Sequence, residues 1–276
     1  MTGTPIRKPG YVEFDGALAP AEGWRTARAR GKTFLVEWLD AIADEAKVQR
    51  STDDETIAVF PSNSGGVITI AGVTTMVSGR SIVIVPAGQY VLRAEKGGTI
   101  ILLSPLRRGV VHSPALNEDD YDDNSCEGMV SVAETGASSA QLQVIPVDDI
   151  VPPADKPRLK IIRSRTMSVS WIEYEGLRDR TKLSPHDHTN FEQGSLAIEG
   201  AFIHHLRVPW GPDATIWRDD MHLHAAPRSL CVIPPRMIHT TEGEGGGKHI
   251  LLDIFAPARE DFVSKGWVFN QHSYQH

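Results

Sequence analysis

The amino-acid sequence predicts an all-β protein that contains the same kind of β domain twice. Short runs of β-branched and aliphatic residues recur along the chain, and 24 glycines and 18 prolines are scattered between them. Short strands separated by turn residues are typical of β-sandwiches and β-barrels. Two stretches of the chain also resemble each other, which indicates an internal duplication. The apolar runs are residues 67–70, 81–85, 99–103, 229–233 and 249–255.

The duplication divides the chain into two domains joined by a connection. The segment SIVIVP at 81–86 matches SLCVIP at 229–234, and a glycine-containing turn follows each of them. Between the copies, an acidic run (NEDDYDDN) and a proline-rich stretch (VPPADKP) interrupt the β pattern. We therefore predict a first domain over 1–113, a connection over 114–158 and a second domain over 159–276.

The composition indicates a globular protein with neither a nucleic-acid nor a membrane partner. The 276 residues are 41% hydrophobic and 23% charged, which suffices for a packed core. A formal net charge of −7 disfavours nucleic-acid binding, because a basic surface is what displaces counterions from phosphates. No apolar run approaches the ~18 residues that span a bilayer, and no apolar leader follows the first charges. Two cysteines make no disulfide framework, so we expect a cytoplasmic protein.

Histidines are concentrated in the second half of the chain, which places the candidate chemistry there. Ten of the 11 histidines lie after residue 185, and the remaining one is His112. His186 and His188 are two residues apart, so on a strand both imidazoles would face the same side. His239 follows a Pro-Pro turn, opens a predicted strand and can face this pair in a rolled-up sheet. Three imidazoles that converge in this way predict a metal site.

The segment HDHTNFEQGSLAIEG at 186–200, followed by a proline turn and His239, resembles the two motifs of the cupin superfamily. The resemblance implies a double-stranded β-helix, or jelly roll, for each domain. It covers residues 159–270 well and 30–108 weakly, so the chain resembles a bicupin whose N-terminal cupin is degenerate and has no metal site. It also implies a small-molecule ligand and, because cupins commonly pair through sheet edges, a homodimer.

The fourth metal ligand is either Gln193 or Glu192. Gln193 has the commoner cupin spacing from His188, whereas Glu192 comes one residue early but offers a carboxylate, the better ligand for a hard divalent ion. Neighbours on a strand face opposite ways, so both cannot point at the metal unless a bulge intervenes. Three imidazoles and one such oxygen suit Fe(II), Mn(II), Ni(II) or Zn(II), and an octahedral ion keeps two positions open.

Asp253 and Arg259 are the candidate catalytic residues. Asp253 interrupts an otherwise apolar strand at 250–255, where an unpaired carboxylate is costly. The string DIFAPARED, which begins at Asp253, is similar to the small cupins that linearise unsaturated uronates. That resemblance implies that Asp253 and Arg259 act in proton transfer and substrate contact. The alternative is structural, an ion pair between the two residues that closes the end of the barrel.

The sequence supports three kinds of function. The first is a metal-dependent tautomerase, isomerase or lyase acting on a small oxygenated organic acid or sugar acid. In that reading Asp253 moves a proton and Arg259 holds a carboxylate. The second is an Fe(II) dioxygenase, which consumes oxygen. The third is a non-catalytic small-molecule-binding or sensor protein. With Gln193 as a ligand the protein donates no negative charge, which favours Lewis-acid chemistry over oxygen chemistry.

Overall fold

The computed structural model of the protein describes residues 5–107, 114–121 and 141–274, which are built almost entirely from antiparallel strands. The strands of the first half are β1 (Gly10–Glu13), β2 (Ala19–Ala21), β3 (Trp24–Arg30), β4 (Phe34–Ala41), β5 (Ala46–Thr52), β6 (Thr56–Phe60), β7 (Gly66–Ile70), β8 (Val73–Val77), β9 (Ser81–Val85), β10 (Gly88–Ala94), β11 (Thr99–Pro105) and β12 (Gln143–Pro146). Those of the second half are β13 (Leu159–Arg163), β14 (Ser168–Glu175), β15 (Gln193–Glu199), β16 (Ala201–Arg207), β17 (Met221–Ala225), β18 (Ser229–Ile233), β19 (Ile238–Glu244) and β20 (Lys248–Phe255), followed by helix α1 (Glu260–Ser264). Short 3-10 helices lie at Asp15–Ala17, Glu118–Asp120, Val147–Asp149, Arg180–Lys182, Ala214–Ile216 and Gln271–Tyr274. None of the helices in these segments has the length and apolar character needed to cross a membrane.

Each half folds into a large and a small sheet that pack together. The first half has a seven-stranded sheet, β12-β9-β6-β11-β4-β3-β2, and a four-stranded sheet, β5-β10-β7-β8. The second half has a six-stranded sheet, β1-β18-β15-β20-β14-β13, and a three-stranded sheet, β17-β16-β19. Buried apolar side chains from the large and the small sheet meet within each half. The predicted fold class, two jelly-roll domains in tandem, is confirmed.

The most extensive hydrophobic cluster lies between the two halves. Side chains alternate along a strand, so each large sheet sends one row inward and one row toward the other half. On β20, Leu252 and Ile254 join Trp38 of β4 in this shared cluster, whereas Leu251 and Phe255 pack inside the second half. Strands that are buried on both faces read as continuous apolar runs. This is why the strongest runs in the sequence do not alternate with polar residues.

Strand pairing crosses the predicted domain boundaries at two places. β1, near the start of the chain, pairs antiparallel with β18 of the second half. β12 lies within the predicted connection at 114–158 and pairs antiparallel with β9 of the first half. The boundary at residue 113 and the nearby His112 lie outside the described residues, and the division into domains stays a prediction.

An ion-pair network also joins the two halves, next to the hydrophobic cluster that lies between them. Arg80 contacts Asp148 at 2.8 Å and Glu173 of β14 at 2.9 Å. Lys248 lies 3.0 Å from the same Glu173 carboxylate, and the indole nitrogen of Trp171 donates to it at 3.0 Å. Burial by itself would raise the pKa of Glu173, but the hydrogen bonds from these three donors outweigh burial and lower the pKa to about 2.

We expect Glu173 to make the stability of the protein fall in acid. Its folded pKa lies below the ordinary value of 4.5, so its stabilisation is fully present above that pH and is lost as the pH falls toward 2. At neutral pH, Glu173→Gln should lower the free energy of unfolding by about 1–3 kcal/mol. Urea denaturation at pH 7, 4 and 3 measures this difference, which should shrink by roughly half by pH 3. A difference that stays constant with pH would contradict the assignment.

Candidate metal centre

Three histidines that are far apart in the sequence come together in the second half. The side-chain nitrogens that His186, His188 and His239 offer as ligands all lie within 4.8 Å of one another. The ring centroids are separated by 4.5 Å to 5.2 Å. His186 is exposed, whereas His188 and His239 are buried. In the described ranges, these three histidines are the one set of histidine, cysteine or acidic side chains that lie close enough together to hold a metal ion.

The backbone that carries these histidines differs from the prediction in one respect. His239 is the second residue of β19, as predicted, but His186 and His188 precede β15 and do not lie on a regular strand. Only one residue pair of this segment is in register with β19. His186 and His239 exchange backbone hydrogen bonds of 3.0 Å and 2.8 Å in an isolated bridge. The backbone N–H of Arg236 also donates to the carbonyl of His188 at 2.6 Å. These bonds hold both imidazoles toward His239.

Hydrogen bonds at Nδ1 orient two of the three imidazoles. Nδ1 of His186 lies 2.9 Å from the carbonyl oxygen of Ser184, and Nδ1 of His239 lies 2.9 Å from that of Met237. Because a carbonyl only accepts, each Nδ1 carries the proton and each Nε2 keeps its lone pair. This is the tautomer that binds a metal through Nε2, with the second nitrogen fixing the ring orientation.

Gln193, the first residue of β15, points its side-chain oxygen at the same place. Its Oε1 is 2.9 Å from Nε2 of His188 and 3.1 Å from Nε2 of His239. Its amide nitrogen donates to Ser195 at 3.0 Å, and the Ser195 hydroxyl donates to Asp253 at 2.6 Å. These two hydrogen bonds orient the Gln193 amide so that its oxygen faces the imidazoles. Lone pairs of Gln193 and His239 therefore face each other, an arrangement that a cation stabilises.

Burial keeps the two inner imidazoles neutral. It lowers the pKa of His188 to about 3 and that of His239 to about 4, and the positive charge of Arg259 lowers both further. A neutral imidazole is the form that coordinates a metal. The three imidazoles and the amide oxygen of Gln193 all point to one place, and nitrogen and oxygen donors of this kind fit a divalent transition-metal ion.

Glu192 points away from the histidines. Its side chain is only 2% exposed, with Oε1 accepting from Nη2 of Arg7 at 2.8 Å and Oε2 accepting from the backbone N–H of Lys32 at 2.7 Å. Consecutive residues at the start of a strand face opposite sides, so the orientation of Gln193 toward the site excludes that of Glu192. Of the two candidates, the structure places Gln193 beside the imidazoles and Glu192 in contact with the first half.

We expect Glu192→Gln to weaken the fold without weakening metal binding. The substitution leaves the half-buried Arg7 without its counter-charge, so the free energy of unfolding should fall by about 1–3 kcal/mol. Gln193→Ala removes the oxygen that faces the imidazoles and should weaken metal binding instead. Urea denaturation and metal titration of both variants separate the two effects. Weakened metal binding in Glu192→Gln with full binding in Gln193→Ala would reverse the assignment.

Asp253 and Arg259 line the same cavity but are not paired with each other. Asp253 lies on the face of β20 that points into the second half, and burial raises its pKa to about 6 despite the hydrogen bond from Ser195. Nε and Nη2 of Arg259 donate to the two oxygens of Asp261 at 2.6 Å and 2.7 Å. The ion pair between Asp253 and Arg259 considered from the sequence is therefore wrong, because one edge of the guanidinium is occupied by Asp261. Three phenylalanine rings also lie against this guanidinium, with centroids at 4.1 Å to 5.0 Å.

A cavity of about 540 Å³ opens above the histidines. Its wall carries six cationic and three acidic side chains, although the whole chain has a net charge of −7. The cationic side chains are Lys156, Arg158, Arg178, Lys182, Arg259 and Lys265. A concave site lined mainly by one sign of charge attracts ligands of the opposite sign. The cavity is therefore suited to a small anion.

Sequence reasoning missed Ser195, Arg158 and Arg178. For Ser195 a signal existed, since it lies two residues after Gln193 and so shares its strand face. The two arginines reach the cavity from segments just outside β13 and β14, where no periodicity indicates the direction of a side chain.

No family model matches the chain, and no curated protein matches its sequence. Solved structures do match. The oxalate decarboxylase of Lactobacillus farciminis, solved as a formate complex, has a TM-score of 0.61 at 13% identity, covering 93% of this chain and 87% of that one. A Bacillus subtilis oxalate decarboxylase studied for its Mn(II) centres has a TM-score of 0.59 at 12% identity, covering 92% and 78%. A putative glyoxylate-induced protein from Pseudomonas aeruginosa has a TM-score of 0.58 at 12% identity, covering 92% and 91%.

Identities this low establish the fold and carry no information about the reaction. Each similarity extends over both halves of the chain, since it covers 92% or 93% of the residues. The sheet order shows two jelly rolls in tandem, and the histidine-bearing motifs lie in the second of them. The chain therefore shares the fold of these structures, two jelly rolls in tandem, which is the fold that the resemblance to cupins predicted.

Proposed function

We propose that this protein is a metal-dependent enzyme that acts on a small organic acid. The observation that carries the proposal is the convergence of three histidine nitrogens and the Gln193 oxygen below a cavity with a cationic wall. A concave pocket with a few convergent polar groups is the usual form of an active site. The similar fold of a Bacillus subtilis oxalate decarboxylase with Mn(II) centres makes manganese the first metal to test.

In this proposal His186, His188, His239 and Gln193 hold the ion. All four donors are neutral, so the protein leaves the charge of a divalent ion uncompensated and the site favours an anionic ligand. When bound, the ion supplies Lewis-acid polarisation of a carboxylate or carbonyl oxygen. With only four donors from the protein, such an ion would also be able to bind the oxygens of a small acid.

Asp253 is the residue that we assign to proton transfer. Its carboxylate borders the cavity and is linked to Gln193 through the Ser195 hydroxyl. With the pKa raised to about 6 by burial, both of its protonation states are accessible near neutral pH. Ser195 acts as a positioning residue, because it holds Asp253 and the Gln193 amide in one orientation.

For Arg259 we propose a different role from the direct hold on a carboxylate that the sequence suggested. Asp261 occupies the Nε edge of its guanidinium, and the phenylalanine rings hold the group in place. We assign Arg259 to attracting the acid and lowering the energy of negative charge near Asp253. The proposed reaction class is that of a lyase or isomerase, because both reactions can use a Lewis-acid ion together with a carboxyl group that moves a proton.

Assays of the metal-loaded protein test this proposal. Chelator-stripped protein is reloaded separately with Mn(II), Fe(II), Ni(II) or Zn(II) and incubated with oxalate, glyoxylate, 2-oxo acids, dicarboxylic acids and unsaturated uronates. Proton and carbon NMR follow loss of the acid, and an oxygen electrode follows oxygen uptake. We expect metal-dependent conversion without oxygen consumption. Iron-dependent oxygen uptake would favour the dioxygenase alternative, and unchanged ligand binding after metal removal, with no conversion, would favour a binding protein.

A further inference from the structure

Two arginines of the cavity lie outside the group of histidines and form no ion pair within the described part of the chain. Arg158 precedes β13, and its guanidinium lies 5.7 Å from the ring centroid of Tyr174. Arg178 follows β14, so the two side chains approach the cavity from neighbouring strands. Neither arginine belongs to the metal site or to the hydrogen-bonded group of Gln193, Ser195 and Asp253. The proposed function gives neither arginine a role.

The guanidinium of Arg178 is oriented but not saturated. Its Nη1 donates to the carbonyl of Thr241 at 2.7 Å, while its Nε is buried and has no hydrogen-bond partner. The negative charge of Glu242 stabilises the charged form of the Arg178 guanidinium. The Glu242 oxygens, however, are in contact with His205 at 2.8 Å and Arg180 at 3.2 Å, not with Arg178. A guanidinium that is held in place by one hydrogen bond and forms no ion pair in the described part of the chain is suited to bind an anion.

The two arginines also repel each other. Burial lowers the pKa of Arg178, and the charge of Arg158 lowers it further. Both charges act on the Tyr174 phenol as well, so the two guanidinium groups share one region of the wall. Two like charges close to each other are unfavourable without a counter-ion, and an anion between them reduces that cost.

Position along β19 sets how long such an anion must be. Thr241, which holds Arg178, is two residues beyond His239, so their backbones are roughly 7 Å apart at the ordinary strand rise. A ligand that reaches both the ion at His239 and the Arg178 guanidinium must carry its two anionic groups several ångströms apart. The carboxylates of oxalate are bonded directly to each other and cannot span that distance.

We propose that Arg158 and Arg178 form a second anion subsite, and that the substrate is an organic acid with a second anionic group, a carboxylate or a phosphate, separated from the first by several carbon atoms. This inference rests on the proposed function for the end of the ligand that the metal holds. The arginine subsite itself does not depend on the metal.

Isothermal titration calorimetry of the full chain tests the subsite. Mn(II)-loaded protein is titrated with oxalate, butyrate, glutarate, adipate and 4-phosphonobutyrate. We expect glutarate, adipate or the phosphonate to bind more tightly than oxalate and butyrate. Arg178→Gln should weaken that binding roughly 10- to 100-fold, as for a lost charge-assisted hydrogen bond, without changing butyrate binding or metal stoichiometry. The phosphonate arm distinguishes a phosphate from a carboxylate as the second group.

Two further variants keep the test decisive. Arg158→Gln changes an exposed side chain, so it should weaken binding of the same long acids without perturbing the fold. Arg25→Gln, at an exposed position of β3 in the other half, makes the same charge change and should have no effect. Thermal denaturation checks that each variant is folded.

The subsite and the proposed function can fail separately. In metal-free protein, adipate or phosphonate binding that disappears in Arg178→Gln supports the subsite even where metal-dependent conversion is absent. Binding of the long acids that is no tighter than butyrate, or that is unchanged in both arginine variants, overturns the subsite. Metal-dependent conversion of a short acid by those same variants would leave the proposed function standing.

Discussion

Replacing His186 by alanine should abolish tight metal binding and leave the fold intact. The imidazole is exposed and packs into none of the hydrophobic clusters, so its removal creates no buried cavity. Within the described residues, the His186 ring has no side-chain hydrogen bond besides that of Nδ1 to the Ser184 carbonyl, and it lies beside the rings of His188 and His239. Changes in residues that merely orient a metal ligand cost 10–100-fold in affinity, so the loss of a ligand should cost ~100-fold or more.

Metal analysis after dialysis and metal-dependent stability both measure this effect. A bound ion stabilises the folded wild type by about 4 kcal/mol at a free metal concentration roughly 1,000 times Kd, and His186→Ala should lose that gain. His224→Ala is the matched control, because His224 is an exposed histidine of β17 that pairs with Glu244 outside the triad. Full metal stoichiometry and unchanged affinity in His186→Ala would overturn the proposed ligand set.

Asp253→Asn should remove most of the turnover while leaving metal binding in place. Asparagine has the same shape and keeps an oxygen that accepts from the Ser195 hydroxyl, but it cannot give or take a proton. A positioned acid or base contributes about 10²–10⁴-fold to rate, and that is the loss expected in kcat. Because burial raises the pKa of this carboxyl and so disfavours its charged form, replacing it with a neutral group should disturb the fold little.

Steady-state kinetics with the acid identified in the screen, together with metal analysis, tests this assignment. Asp44→Asn, an exposed position in the loop before β5, makes the same chemical change away from the cavity and should retain the kcat of the wild type. Ser195→Ala should lower kcat by less than Asp253→Asn, because it loosens the carboxylate without removing it. A variant Asp253→Asn with an unchanged kcat would exclude Asp253 from proton transfer.

The fold class was predictable because it depends on local patterns that repeat. Strands with both faces buried produce uninterrupted apolar runs, and the runs at 81–85 and 229–233 both became fully buried five-residue strands, β9 and β18. The convergence of His186, His188 and His239 was also predicted, but the structure produces it through an isolated bridge between His186 and His239 and not through a regular strand. Their role as metal ligands stays a prediction.

Other features depend on segments too far apart for any local pattern to report. The orientation of Glu192 is determined by Arg7 and by the backbone of Lys32, 185 and 160 residues away in the sequence. The partner of Arg259 was misjudged for the opposite reason, since Asp261, only two residues further on, competes with Asp253 for the same guanidinium. The alternation of side chains along a strand is compatible with several partners for one charged residue and does not indicate which partner is preferred.

By itself, the sequence determined the all-β class and the duplication, because both appear in short apolar runs and in a repeat, and it predicted that three imidazoles converge. Only the tertiary structure placed Gln193 rather than Glu192 beside the imidazoles, paired β1 with the sheet of the second half, and brought Arg158 and Arg178 into one cavity wall. Those outcomes depend on which backbone groups and charged side chains, far away in the sequence, come to lie beside a given side chain. That information exists only once the two barrels have closed and packed against each other.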